Sequence, residues 1–124
     1  MAFEFVKFTG QRPAKGSIRK NGHIGLNESA LEAFRPRPEY ITIYYDRETR
    51  ILGLKAAAKD DQGAVPLYAR PHNAFCGGRS VLAAFGIPQP GKSTAYYASW
   101  SDEYGMLLID LSNPVPTRTG RVLT

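Results

Sequence analysis

A chain of 124 residues, 43% of them hydrophobic and 22% charged, is sized for one globular domain, 1–124, and is too apolar to be an intrinsically disordered chain. No run approaches the roughly 18 apolar residues that cross a bilayer as a helix, and Glu4 and Lys7 break up MAFEFVKFTG where a secretion signal is apolar, so the expected compartment is the cytoplasm. The net charge of +5 turns attention to anionic partners.

In chain order, GSIRKNGHIGL predicts a strand interrupted by a turn at Asn21-Gly22. NESALEAF predicts a short helix: Asn27 caps the first turn, Glu28 suits the positive helix end, and Ala30, Leu31 and Phe34 share one face. The prolines of RPRPEY end that helix, because each lacks a donor and pushes the residue before it out of helical geometry. YITIYYD follows as a strand with Tyr40, Thr42 and Tyr44 on one face and Ile41, Ile43 and Tyr45 on the other. DRETR turns the chain, ILGLK returns it, and KDDQG is a solvated connector.

The second half repeats this plan. Val65 to Arg70 predicts a strand, Asn73 and Gly77-Gly78 lie in a polar, glycine-bearing passage, and SVLAAF predicts a helix closed by Gly86. SVLAAF echoes SALEAF, IPQPGK matches the proline spacing of RPRPEY, STAYYA answers ITIYYD and MLLIDL answers ILGLK. Between the last two, SWSDEYG reads as a longer hairpin loop than DRETR. The repeats cover approximately 15–56 and 65–111, with a flexible tail expected over 113–124. Two units are too few for a solenoid, which needs three or more to cover its faces. They must bury each other, so the expected fold is mainly β with short helices, a pseudo-twofold barrel from two strand-helix-hairpin repeats whose closure removes exposed edges.

The stretch GSIRKNGHIGLNESALEAFRPRPEYITIYYDRETRILGLKA resembles the swapped-hairpin DNA-binding unit of AbrB-type regulators, in which two such units, from two chains or in tandem, make one barrel. It differs from that family's glycine-arginine and isoleucine-proline letters at Gly22-His23 and Leu26-Asn27. The resemblance implies a non-enzymatic DNA-binding protein, with transcriptional regulation as its role. GHIGLNESALEA is also similar to the segment after the self-processing bond of pyruvoyl-type aspartate decarboxylases. There His23 stands in the place of the serine nucleophile, and Gly16-Ser17 lies too early. Self-cleavage needs the hydroxyl at the turn, so that activity is excluded.

Other chemistry finds little support. The single Cys76 has no Cys or His neighbours at ligand spacing, so no metal site is expected. PGKST lacks the upstream glycine of a phosphate loop and precedes a strand, and the carboxylates of Asp60, Asp61, Glu48, Asp102 and Glu103 fall in a connector or at hairpin tips. No catalytic residue and no cofactor is therefore expected.

The basic residues are the stronger signal. Positions 5–27 hold Lys7, Arg12, Lys15, Arg19 and Lys20 without an acid, and no Asp or Glu occurs between Asp61 and Asp102, where Arg70, Arg79 and Lys92 sit. Acids gather instead from Glu28 to Glu48. Lys15, Arg19, Lys20, Arg70 and Arg79 are the candidate contacts to the phosphates of duplex DNA. His23 and His72, at matching turns, are candidate accessories that touch phosphate or form a pH-sensitive pair. Tyr40, Tyr44, Tyr96 and Tyr97 could serve as base-stacking platforms on a basic sheet, but the alternation of YITIYYD assigns at least half of them to core packing. The alternative is a small interaction module, an inhibitor or accessory factor that docks on a protein partner through Trp100 and the 99–105 loop. A homo-oligomer is compatible with either reading.

Overall fold

The computed structural model describes residues 13–116. Its first half runs β1 (Lys15–Ile18), β2 (His23–Asn27), α1 (Glu28–Glu32), β3 (Tyr40–Asp46) and β4 (Ile51–Ala57). The second runs β5 (Val65–Pro66), β6 (Tyr68–Ala69), β7 (Asn73–Gly77), α2 (Arg79–Ala84), β8 (Thr94–Ser101) and β9 (Met106–Pro114). The expected plan of strands, helix and hairpin is thus present twice.

All strands join one antiparallel sheet in the order β5-β3-β4-β9-β8-β1-β2-β7-β6. Its two ends are successive pieces of a single extended segment: Val65–Pro66 pairs with β3, and Tyr68–Ala69 pairs with β7. Between them the Leu67 N–H donates to the Glu39 carbonyl at 2.9 Å, so the sheet curls into a nearly closed barrel.

The halves interlock. The β1–β2 hairpin lies between β8 and β7, and the β3–β4 hairpin between β5 and β9, so each hairpin of the first half is bordered by strands of the second. Exchange of the repeats maps β1·β8 onto the pairing of β3 with the 65–69 segment. It maps β2·β7 and β4·β9 onto themselves.

The core follows from strand alternation. Ile24 and Leu26 of β2 are matched inside the barrel by Ala74 and Cys76 of β7, and Leu52 and Leu54 of β4 by Leu107 and Ile109 of β9. Helix α1 starts where expected: the Asn27 side chain accepts from the Ala30 N–H at 3.0 Å, and Ala30, Leu31 and Phe34 are buried. The second helix contributes Leu82, but Phe85, the counterpart of Phe34, is only half-buried against Tyr45, with ring centroids 5.4 Å apart.

The hairpin tips correct one expectation. SWSDEYG forms no longer loop: Arg50 N–H donates to the Asp46 carbonyl at 2.7 Å, and Gly105 N–H donates to the Ser101 carbonyl at 2.8 Å. Each turn closes with its last residue left-handed, φ 62° at Arg50 and 64° at Gly105. The register of β8 against β9 shifts between Tyr96 and Ala98, where one residue of β8 stands against four of β9. Positions 113–115, which the sequence assigns to a flexible tail, are instead held by the barrel: β9 reaches Pro114 and the Val115 N–H donates to the Ala95 carbonyl. Positions 117–124, and Lys7, Arg12, Arg118 and Arg121, lie outside the described residues. Among the described residues no helix is long and apolar enough to cross a membrane.

Candidate nucleic-acid interface

Five adjacent strands, β8-β1-β2-β7-β6, form one wall of the barrel. In β1 the alternation turns Gly16 and Ile18 inward and leaves Lys15 and Ser17 on the outer side. The ladders then align the outward residues in rows. One row runs Ala95, Ser17, Gly25, Phe75 and Tyr68; a flanking row places Tyr97 beside Lys15 and Asn27 beside Asn73. On the other flank His23 lies opposite Gly77. None of these residues is acidic.

Arg19 and Arg70 end the first strands of the two matched hairpins. The Arg19 N–H donates to the His23 carbonyl at 2.8 Å, and the Arg70 N–H donates to the Asn73 carbonyl at 2.7 Å. The first hairpin turns at Asn21-Gly22 as expected, with Gly22 at φ 88°. Both arginines send their guanidinium carbons over the ring of Phe75, at 5.5 Å for Arg19 and 5.8 Å for Arg70 from its centroid. The His23 ring stacks on Phe75 at 5.2 Å, and the Tyr68 ring tilts against it at 5.4 Å.

Gly25 makes room for this cluster. A Cβ there would lie 2.9 Å from Nη2 and 3.0 Å from Nε of Arg19, so the guanidinium crosses the wall where a side chain is missing. The two cations are held by a ring quadrupole rather than by an acid. Among the described residues the ion pairs are Arg37 with Glu32 and His72 with Glu28. Within the described residues, Lys15, Arg19, Lys20, Arg70 and Arg79 therefore have no carboxylate in ion-pair contact. Arginine in this setting presents a planar fork of donors suited to phosphate oxygens.

The other expected contacts distribute around this centre. Arg79 opens α2 and backs onto the first hairpin turn, with its Cβ 3.0 Å from a Cβ built on Gly22. Lys20 sits on the same turn, which is pinned to the 86–93 segment: its N–H donates to Ser93 Oγ at 3.3 Å, and its carbonyl accepts from Gln89 Nε2. Lys15 stands farther along the wall, beside Tyr97.

The two histidines are not together. His23 belongs to the Phe75 cluster, whereas His72 lies beyond the far end of the β2·β7 ladder, roughly 15 Å along the strand direction, with its Nδ1 3.3 Å from Glu28 Oε2. The repeat explains that contact, because Glu28 and Arg79 hold equivalent places at the starts of the two helices and each faces the opposite half's hairpin turn.

Sequence reasoning does not single out Phe75, Tyr68 or Gly25 as part of this surface. The signal for Phe75 is the alternation in NAFCG, where Ala74 and Cys76 go inside and leave Phe75 out. Nothing local shows that Tyr68 and both arginines meet it.

Trp100 is 37% exposed and held on one side. Its ring packs edge-on against Phe34 at 5.2 Å and 78°, and its Nε1 donates to Asp102 Oδ1 at 3.1 Å. The more exposed aromatic at that hairpin is Tyr104. Cys76 is buried, and burial pushes its thiol up to about 12 against a smaller opposing hydrogen bond from the Ile24 backbone. No cluster of metal-ligating side chains occurs among the described residues.

Comparison with known proteins found no matching family model, no matching curated protein and no matching solved structure.

Proposed function

We propose that this chain is a non-enzymatic DNA-binding protein that holds the phosphate backbone of duplex DNA on the acid-free wall centred on Phe75. The observation that carries the reading is the pair Arg19 and Arg70, supplied by matched hairpins and gathered on one ring with no carboxylate paired to them among the described residues. Phosphate is the chemistry such a pair lacks. Lys15, Lys20 and Arg79 extend the positive surface along the wall and past the first turn. The approximate twofold relation of the hairpins suits a duplex, whose backbones are themselves related by twofold axes. The likeness of residues 15–56 to AbrB-type units adds transcriptional regulation in the cytoplasm as the cellular role.

Titration with random-sequence duplex DNA at low and moderate salt tests this. If about five phosphates are neutralised, the logarithm of affinity falls with a slope near −4 to −5 against the logarithm of salt. Arg19→Ala with Arg70→Ala removes most of the affinity and flattens the slope by about 2. Absence of binding at low salt overturns the proposal.

A further inference from the structure

The pseudo-twofold axis leaves the barrel at two poles. At one, Gly25 meets Phe75 and is crossed by the Arg19 guanidinium. At the other, Gly53 meets its own counterpart Leu108, and a Cβ on Gly53 would lie 2.9 Å from Sδ of Met106. A thioether thus covers the second glycine where a cation covers the first.

The second pole is hollow. Gly53 stands directly opposite Tyr44 on β3, so a large ring has no side chain beside it on the next strand. The result is a cleft of about 340 Å³, at the small end of the range for small-molecule sites. Exposed Tyr44 and Tyr104 contribute to its walls, with Met106 and Leu108 beside them. Among the described residues its charged side chain is Asp46, and no Lys or Arg lines it. That carboxylate is oriented by the Glu48 N–H at 3.1 Å and the Thr49 hydroxyl at 2.9 Å, and each oxygen retains a further lone pair. The adjoining turns and strands add Glu48, Asp102, Glu103 and Asp110 against Arg47, Arg50 and Lys55, of which Lys55 lies two residues beyond Gly53 on the same face of β4.

We propose that this cleft binds a small organic cation carrying a methylated ammonium group. Tyrosine faces attract a cation through their quadrupoles, and methyl groups suit an apolar wall that would strip water unfavourably from a metal ion or a primary ammonium. The polarisable sulfur of Met106 adapts to such a surface. Asp46 supplies the counter-charge and disfavours anions. This site is independent of DNA binding, since it lies at the opposite pole.

Choline chloride and its uncharged isostere 3,3-dimethylbutanol are titrated into the intact chain at fixed ionic strength, with NMR shifts read at Tyr44, Tyr104 and the Met106 methyl. Expected are saturable shifts with choline, at least 10-fold weaker binding of the isostere, and at least 5-fold weaker choline binding in both Tyr104→Ala and Asp46→Asn. Spectra of the free variants, unchanged away from the cleft, show that they remain folded. Equal affinity for the two ligands overturns the proposal, as does an absence of saturable shifts or unaltered affinity in Tyr104→Ala.

Discussion

Gly25 and Phe75 face each other across the β2·β7 ladder although they hold the same place in the two repeats. A position that pairs with its own counterpart lies on the pseudo-twofold axis, and there the duplicated halves cannot both place a large side chain outward beside the two arginines. One repeat supplies the platform and the other the gap. Gly53 and Leu108 repeat this division at the opposite pole.

Alanine at Gly25 tests the gap. Its Cβ would fall 2.7 Å from Ser17 Oγ and 2.9 Å from Arg19 Nη2, both ends of side chains that can swing aside, so stability changes by about 1 kcal/mol or less. DNA affinity falls because the guanidinium is displaced. At Gly16 the same substitution drives a Cβ into Ile109 in the core and costs about 1–3 kcal/mol. Urea unfolding beside DNA titration separates the two effects.

Arg50 bears a left-handed backbone that its counterpart Gly105 adopts without a side-chain penalty. Arg50→Gly retains the bonds from its N–H to Asp46 and from the Leu111 N–H to its carbonyl. Relief of about 1–2 kcal/mol of strain, offset by about 1 kcal/mol of added chain entropy, leaves the variant equal to or slightly more stable than wild type. Gly105→Ala destabilises instead. Thermal unfolding midpoints check both signs.

Phe34 is 3% exposed and sealed by Trp100, while Phe85 lies half-open against Tyr45. Phe34→Ala is expected to cost about 3–5 kcal/mol. Phe85→Ala leaves a partly solvated gap and costs about 1–3 kcal/mol. Equal losses in urea unfolding would contradict this asymmetry.

Residues 1–58 expressed alone lack β7 and β8 beside their first hairpin and β5 and β9 beside their second. The fragment therefore stays unfolded or pairs with a second copy that supplies the missing strands. Circular dichroism with sedimentation distinguishes these outcomes from a folded monomer, which would show that the halves are independent.

Cys76 has its thiol raised from 9.0 to about 12, first by burial. The native thiol remains protonated at a pH where the unfolded one ionises, so the unfolded state binds fewer protons above pH 9 and stability falls as pH rises from there. Below pH 9 this group contributes no pH dependence. Cys76→Ala, compared with wild type from pH 8 to 10.5, should show a shallower alkaline loss. A thiol reagent at pH 8 should label wild type only on unfolding.

Much of this fold is legible along the chain because its signals are local. Asn27 announces α1, Asn21-Gly22 the first turn, and the alternation of Ile41, Leu52, Leu54, Leu107 and Ile109 the buried side of their strands. The acid-free composition around Lys15, Arg19, Arg70 and Arg79 marks a basic surface, and the echo of SALEAF in SVLAAF marks the duplication. A period of two tells which way a residue points but not which strand lies beside it. Only the tertiary pairing decided that the hairpins interlock, that Arg19 and Arg70 meet on Phe75, that His72 leaves His23 for Glu28, and that Trp100 turns onto Phe34. Those contacts join residues distant in sequence, and they follow from closing one barrel around a shared core that neither repeat builds alone.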